Sequence, residues 1–233
     1  MEPMINLGNC SRRAASLDIL LVVLVSAVSY TIELALADVL PWGDEARGVV
    51  AVLVGAGFAI WVTLRRGRSL TDLGFTRPNR WWTVPFWAIG IMVAFIVAQA
   101  AASFLLATLI DLPEPDLSRY DFIRGNLMSA IAMALVLPVT AAVPEEIVYR
   151  GFLVDRFSCL MGGGKGSAVF PVLAQAVVFG SVHFQWGVGG IVLTSIMGAV
   201  WGFAFLLCGR NLWIVILAHS AAHIALVGQL YFS

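Results

Sequence analysis

The stretch VGGIVLTSIMGAVWGFAFLLC, residues 188–208, runs for twenty-one residues without an Asp, Glu, Lys or Arg. As a helix rising about 1.5 Å per residue it covers ~31 Å, the thickness of a bilayer's hydrocarbon core. Working outward from it, apolar runs of similar character recur at about 17–40, 49–64, 84–110, 127–143, 168–184 and 212–231. Together these make seven spans, and eight are possible. The chain is 60% hydrophobic and only 12% charged, with a mean hydropathy of +0.91, whereas soluble domains carry about 25% charged residues. No ten-residue alternation of apolar and polar residues marks a membrane barrel, so helices must satisfy the backbone in lipid. The sequence predicts an all-α fold: a polytopic transmembrane bundle of about 7–8 helices. The connections are short and there is no internal repeat or low-complexity tract, so residues 1–233 form a single integral membrane domain.

Lys and Arg in loops favour the cytoplasmic side of a membrane. With the N-terminus inside, one side carries Arg12, Arg13, Arg65, Arg66, Arg68, Arg77, Arg80, Arg156, Lys165 and Arg210, and the other only Arg47, Arg119 and Arg124. The expected orientation is therefore N-terminus cytoplasmic. Arg12, Arg13 and the small-residue run Ala35-Leu36-Ala37 imitate a signal peptide, but Glu33 interrupts the apolar stretch and a retained first helix is expected. The segment 65–82 is expected to lie at the membrane surface, with Leu70, Leu73, Phe75, Trp81 and Trp82 dipping into the interface, or to be an ordinary basic loop. Cys10, Cys159 and Cys208 have no paired spacing and are expected to be bystanders. Net charge is zero and no basic run points to nucleic acid.

Ionisable groups within membrane helices cost about 2.5–3.5 kcal/mol each at mid-span, so each needs a reason. The chain concentrates them in PEEIVYRGF (144–152), with Glu145, Glu146 and Arg150, and places all three of its histidines, His183, His219 and His223, in its apolar C-terminal third. Glu146 and Arg150 stand four residues apart with the acid first, the better order for a helical ion pair. That leaves Glu145 on another face. His219 and His223 share one face of the last helix, and Phe179 lies one turn before His183. Glu33, near the end of its span, is expected to be solvated or snorkelling.

Two catalytic designs fit these parts. In one, Glu145 and His183 hold a water, the carboxylate takes its proton, and His219 and His223 donate to the developing oxyanion. In the other, HSAAH (219–223) binds zinc through two histidines one turn apart and a glutamate or His183 completes the set. The second lacks the Glu of H-E-x-x-H, having Ser220 there.

Three motifs resemble those of the CPBP family of intramembrane glutamic endopeptidases, which includes CAAX prenyl proteases and the bacterial Abi and bacteriocin-processing proteins. EEIVYR (145–150) is similar to E-E-x-x-x-R, FGSVH (179–183) to F-x-x-x-H, and HSAAH to H-x-x-x-N/D. The resemblance covers about 125–231, the catalytic core. It implies a protease without metal or other cofactor, in which Glu145 and His183 activate water, Arg150 orients the glutamate pair through Glu146, and His219 contributes to the oxyanion hole. His223 departs from the family's Asn or Asp. The implied setting is a bacterial inner membrane, the bilayer around the protein, and a membrane-associated peptide or protein as substrate. The rival functions are a non-catalytic bacteriocin-immunity or scaffold protein and, third, a transporter, for which no repeated halves are visible.

Hydropathy alone separates Glu145, at the inner end of the fourth span, from His183, near the outer end of the fifth. They meet if the fourth helix runs from about 130 to 156 with a bend at Pro138 or Pro144 and the fifth starts near Pro171. The cavity is then expected to open toward the cytoplasmic, arginine-rich side.

Overall fold

The computed structural model describes residues 11–37, 39, 48–78, 80–109, 113–162 and 168–233; Cys10, Arg47 and Lys165 lie outside them. Among the described residues there is no strand. Seven helices follow one another: α1 Arg12–Leu36, α2 Val49–Arg65, α3 Thr83–Leu109, α4 Leu127–Leu160, α5 Val169–Ser181, α6 Gly187–Leu207 and α7 Leu212–Phe232. Five of them, α1, α3, α4, α7 and α6 with the turn before it, are long and apolar enough to cross a membrane. The other two fall short of expectation, because α2 has 17 residues and α5 only 13, about 26 and 20 Å of helix.

The composite helix α4 carries the fold's main irregularity. Its turns widen to π geometry over Pro138–Ala142 and again over Glu146–Leu153. Prolines 138 and 144 cannot donate a backbone N–H, and their rings crowd the carbonyl of the turn before. Widening the turn relieves that conflict while the helix continues for 34 residues. Such π segments recur where side chains must be re-aimed for function. Here the second one bears the EEIVYR residues.

Helices α5 and α6 pack backbone to backbone. A Cβ on Gly180 would lie 2.5 Å from the Ile191 carbonyl oxygen and closer still to the Ser195 hydroxyl, and one on Gly198 would lie 3.0 Å from the Ala176 Cα. Small residues are how membrane helices approach when no hydrophobic force drives them together. Gln175 bridges the pair by donating to the Gly198 carbonyl at 2.8 Å.

One end of the bundle is closed by ion pairs. Asp18 on α1 accepts from Arg66 at 2.6 Å and from Arg156 at 3.1 Å, while Asp155 accepts from Arg156 at 2.6 Å, lies 3.5 Å from Arg210 and is bridged by Arg68. Arginines from the 65–82 connector, from the last turns of α4 and from the turn before α7 thus meet at one end. Burial acts against charge on Arg68, but its hydrogen bond and ion pair with Asp155 outweigh that and raise its pKa.

Several expectations need correction. Glu33 is buried and accepts the backbone N–H groups of Val50 and Ala51 at 3.0 and 3.2 Å. It caps α2, whose preceding residue, Gly48, has no side chain to do so. In the 65–82 connector, Leu73 and Phe75 enter the protein core instead of the lipid interface, while Leu70, Trp81 and Trp82 face outward. The connector is fastened where the Gly74 carbonyl accepts the Leu212 N–H at 2.9 Å. Gly74 has φ of 105°, a conformation that favours glycine. Cys159 is disulfide-bonded and is no bystander, whereas Cys208 is free.

The buried Asp155 carboxylate balances several guanidinium groups, so Asp155→Asn should cost about 3–5 kcal/mol of stability. Thermal unfolding in detergent checks this, and an unchanged melting temperature would count against the clamp.

Candidate active site

The second π segment of α4 is buried throughout, from Glu146 to Leu153. Inside it, Glu146 and Arg150 have no exposed surface. The guanidinium Nη1 lies 3.1 Å from Glu146 Oε1, and the same oxygen accepts a hydrogen bond from His219 Nδ1 on α7 at 2.7 Å. A carboxylate can only accept, so Nδ1 carries the proton and the neutral ring keeps a lone pair on Nε2. That Nε2 is buried without a hydrogen-bond partner, 3.7 Å from Glu145 Oε2. His223, one turn further along α7, stacks on His219 with ring centres 4.7 Å apart and planes 15° apart. Its Nε2 is also buried and without a partner.

Phe179 is the apolar counterpart of this network. Its ring lies under the Arg150 guanidinium at 4.6 Å, meets Tyr149 edge to face at 4.8 Å, and stands 4.8 Å from the His183 ring. A buried cation with few hydrogen bonds is tolerated here because a carboxylate and an aromatic face flank it. His183 Nδ1 donates to the Phe179 carbonyl at 2.7 Å, which fixes that ring's tautomer as well and leaves its Nε2 as an acceptor. Helix α5 ends at Ser181, so His183 sits in the turn before α6. The short fifth helix, together with the uninterrupted α4, is what resolves the depth conflict between His183 and Glu145.

Glu145, Tyr149, His183 and His223 line one cavity of ≈ 940 Å³ whose walls are mostly apolar side chains of α1, α2, α4, α5 and α7. The cavity reaches Gly48, Arg119, Tyr120 and Trp186, and none of Arg66, Arg68, Arg156 or Arg210 lines it. The expected opening toward the arginine-rich end is therefore wrong. The ion-pair network closes that end and the free volume lies at the other.

All seven residues singled out in the sequence meet around this cavity or directly behind it. Two neighbours were missed. Tyr149 stands four residues after Glu145, and Trp186, 4.7 Å from the His183 ring, stands three residues after His183. Helical spacing from the acid and from the histidine was the available signal for both. The main partner of Glu146 was also missed, because pairing by local spacing cannot reach His219, 73 residues away. Chemically, the arrangement offers a carboxylate and three imidazoles at an apolar cavity. It can hold a polarised water, and one ligand atom each from Glu145, His219 and His223 lie within 4.8 Å of one another, a grouping with metal-binding potential.

Removing the ring beneath Arg150 should be severe: Phe179→Ala is expected to cost about 3–5 kcal/mol, read as a lowered melting temperature. A variant that melts with the parent would show that the ring does not support the ion pair.

Residues 127–225 match the family model described as type II CAAX prenyl endopeptidase Rce1-like. No curated protein and no solved structure matches the chain. The matched segment begins with α4 and ends two residues beyond His223, so it holds all three motifs and every polar side chain of the site except those at the cavity's far rim. Through that segment, somewhat under half of its length, the chain is similar to the type II CAAX prenyl endopeptidases.

Proposed function

We propose that the protein is an intramembrane endopeptidase that hydrolyses a peptide bond of a membrane-associated protein or peptide with a water activated by Glu145. One observation carries the mechanism. His219 is tied through Nδ1 to the buried Glu146 and turns an unpartnered Nε2 toward Glu145 at the cavity's inner surface. Glu146 and Arg150 have no exposure, so their task is to hold and polarise His219, as a carboxylate holds the imidazole of a hydrolytic triad. Glu145 faces the cavity and is the carboxylate available to substrate and water.

In the proposed reaction a water lies between Glu145 and the Nε2 lone pair of His183. Glu145 takes one of its protons as the oxygen attacks the scissile carbonyl carbon. The carbonyl oxygen becomes an oxyanion near the stacked rings of His219 and His223. The His223 ring donates to it through an N–H, and His219, held by Glu146, keeps that ring in place by stacking on it. The C–N bond then breaks, and the proton on Glu145 passes to the leaving amine. The products are a new carboxylic acid and a new amine, between which the acid proton then passes to leave a carboxylate and an ammonium, and Glu145 is restored. The apolar walls exclude bulk water and strengthen each of these electrostatic contacts. The excess of arginines at the closed end supports a cytoplasmic setting for that end, with the cavity toward the opposite side of the membrane.

Glu145→Gln keeps the shape and removes the base. It is expected to abolish cleavage of a membrane-peptide substrate while leaving the melting temperature within a degree or so of the parent. More than a few per cent residual activity would remove Glu145 from the mechanism.

A further inference from the structure

The arginine end of the bundle holds more positive charge than its carboxylates balance. Arg66, Arg68, Arg156 and Arg210 meet Asp18, Asp72 and Asp155 there, and Arg12 Nη2 adds a further cation 3.1 Å from where a Cβ on Gly162 would stand, at the end of α4. The surplus falls on Arg210. Asp155 is already bridged by Arg68 and accepts from Arg156 at 2.6 Å, and it reaches Arg210 Nη2 only at 3.5 Å. Arg210 Nη1 has no hydrogen-bond partner, and the guanidinium leans instead on the Phe205 ring at 5.5 Å. Burial lowers the Arg210 pKa, and Asp155 does not restore it. A largely buried cation so poorly paired is costly. Its backbone is strained as well. With φ of 59°, Arg210 is the one non-glycine residue in the left-handed region among the described residues. Glycine would fill this turn between α6 and α7 with less strain, yet the position carries an arginine with an unused donor, a combination that points to a ligand.

From these observations we propose that Arg210, with Arg68 beside it on the same Asp155 oxygen, binds the phosphate of an anionic phospholipid in the leaflet at the arginine end. The side chains of Arg210 and Arg68 keep 13% and 22% of their surface, so the site lies at the edge of the bundle. Nη1 is covered as the side chain stands, and turning it outward gives up little more than the 3.5 Å contact. The phosphate oxygens then accept charge-assisted hydrogen bonds from the guanidinium groups. The surplus positive charge selects the headgroup: an anionic lipid neutralises it, whereas the ammonium of a zwitterionic lipid is repelled by the neighbouring arginines. The surroundings select a lipid over a free phosphate. Leu207, three residues before Arg210, is 75% exposed, and Trp213, three residues after it, is 43% exposed. Trp213 stands edge-on to Phe75 of the connector at 5.4 Å, and Trp81 and Trp82 also face outward. Exposed tryptophans sit at headgroup level, and Leu207 meets the acyl chains. Because the connector is joined to the start of α7 through Gly74 and Leu212, a lipid held here braces both. Arg210 does not line the catalytic cavity, and the site stands whether or not the chain is a peptidase.

The test uses the full chain, purified and delipidated in detergent, with phosphatidylglycerol, phosphatidylcholine or inorganic phosphate added back. Bound lipid is counted by native mass spectrometry, and the melting temperature is read in parallel. A single phosphatidylglycerol should bind saturably and raise the melting temperature, and phosphatidylcholine should do neither at the same concentration. Arg210→Gly removes the guanidinium and suits the left-handed turn, so the lipid-free variant should melt close to the parent. It should nevertheless bind phosphatidylglycerol at least ~10-fold more weakly, the loss of a charge-assisted hydrogen bond. Arg77→Gln, which changes an exposed arginine of the connector outside the network, should bind as the parent does. Equal binding of the two lipids, or phosphatidylglycerol binding unchanged in Arg210→Gly, would overturn the site. An equal loss in Arg77→Gln would overturn it too, by showing that the lipid answers to the overall basic surface. Stabilisation of the parent by inorganic phosphate but not by phosphatidylglycerol, lost in Arg210→Gly, would overturn the lipid assignment in favour of a soluble phosphate.

Discussion

The hydrogen bond from His219 to Glu146, buried where α4 meets α7, is the contact on which the polar interior depends. Alone, either group would be costly at that depth: a carboxylate without partners must shed its charge, and an imidazole without partners strands two nitrogens. Joined, they fix each other. The bond sets the tautomer of His219, the position of the Arg150 guanidinium beside the same oxygen, and the placement of Phe179 beneath that guanidinium. The Nε2 atoms of His219 and His223 lack partners and lie toward Glu145, where a reacting water has use for them.

Around this contact the bundle is asymmetric. Its arginine end is sealed by Asp18 and Asp155, which draw four guanidinium groups from separate stretches of chain into one network. The opposite end keeps a volume of ≈ 940 Å³ among apolar side chains. The same helices serve both ends, so the seal also holds α1 and α4 in place along the cavity. A closed polar base thus lies beneath an apolar chamber.

Much of this was legible in residue order. Apolar runs located every helix, and the concentration of Glu145, Glu146, Arg150 and the three histidines in an otherwise uncharged interior marked the site. What hydropathy could not convey was helix length where chemistry interrupts it. The polar EEIVYR residues ended the apparent fourth span near 143, although α4 continues to Leu160 by widening its turns after Pro138 and Pro144. In α5 the error ran the other way, because an apolar run to 184 hid a helix that stops at Ser181. Glu33 was misjudged because its partners are backbone N–H groups of α2, which no pattern of side chains reveals. The cavity's direction was likewise invisible, since it follows from which end the ion pairs close.

A double-mutant cycle across Glu146 and His219 tests the central contact most directly. Unfolding free energies in detergent would be measured for the parent, Glu146→Gln, His219→Asn and the double variant. A charge-assisted buried hydrogen bond predicts a coupling energy of about 1.5–3 kcal/mol, with the double variant less damaged than the sum of the singles. Strict additivity would mean that the two groups do not hold each other, and the site would have to be rebuilt on another contact.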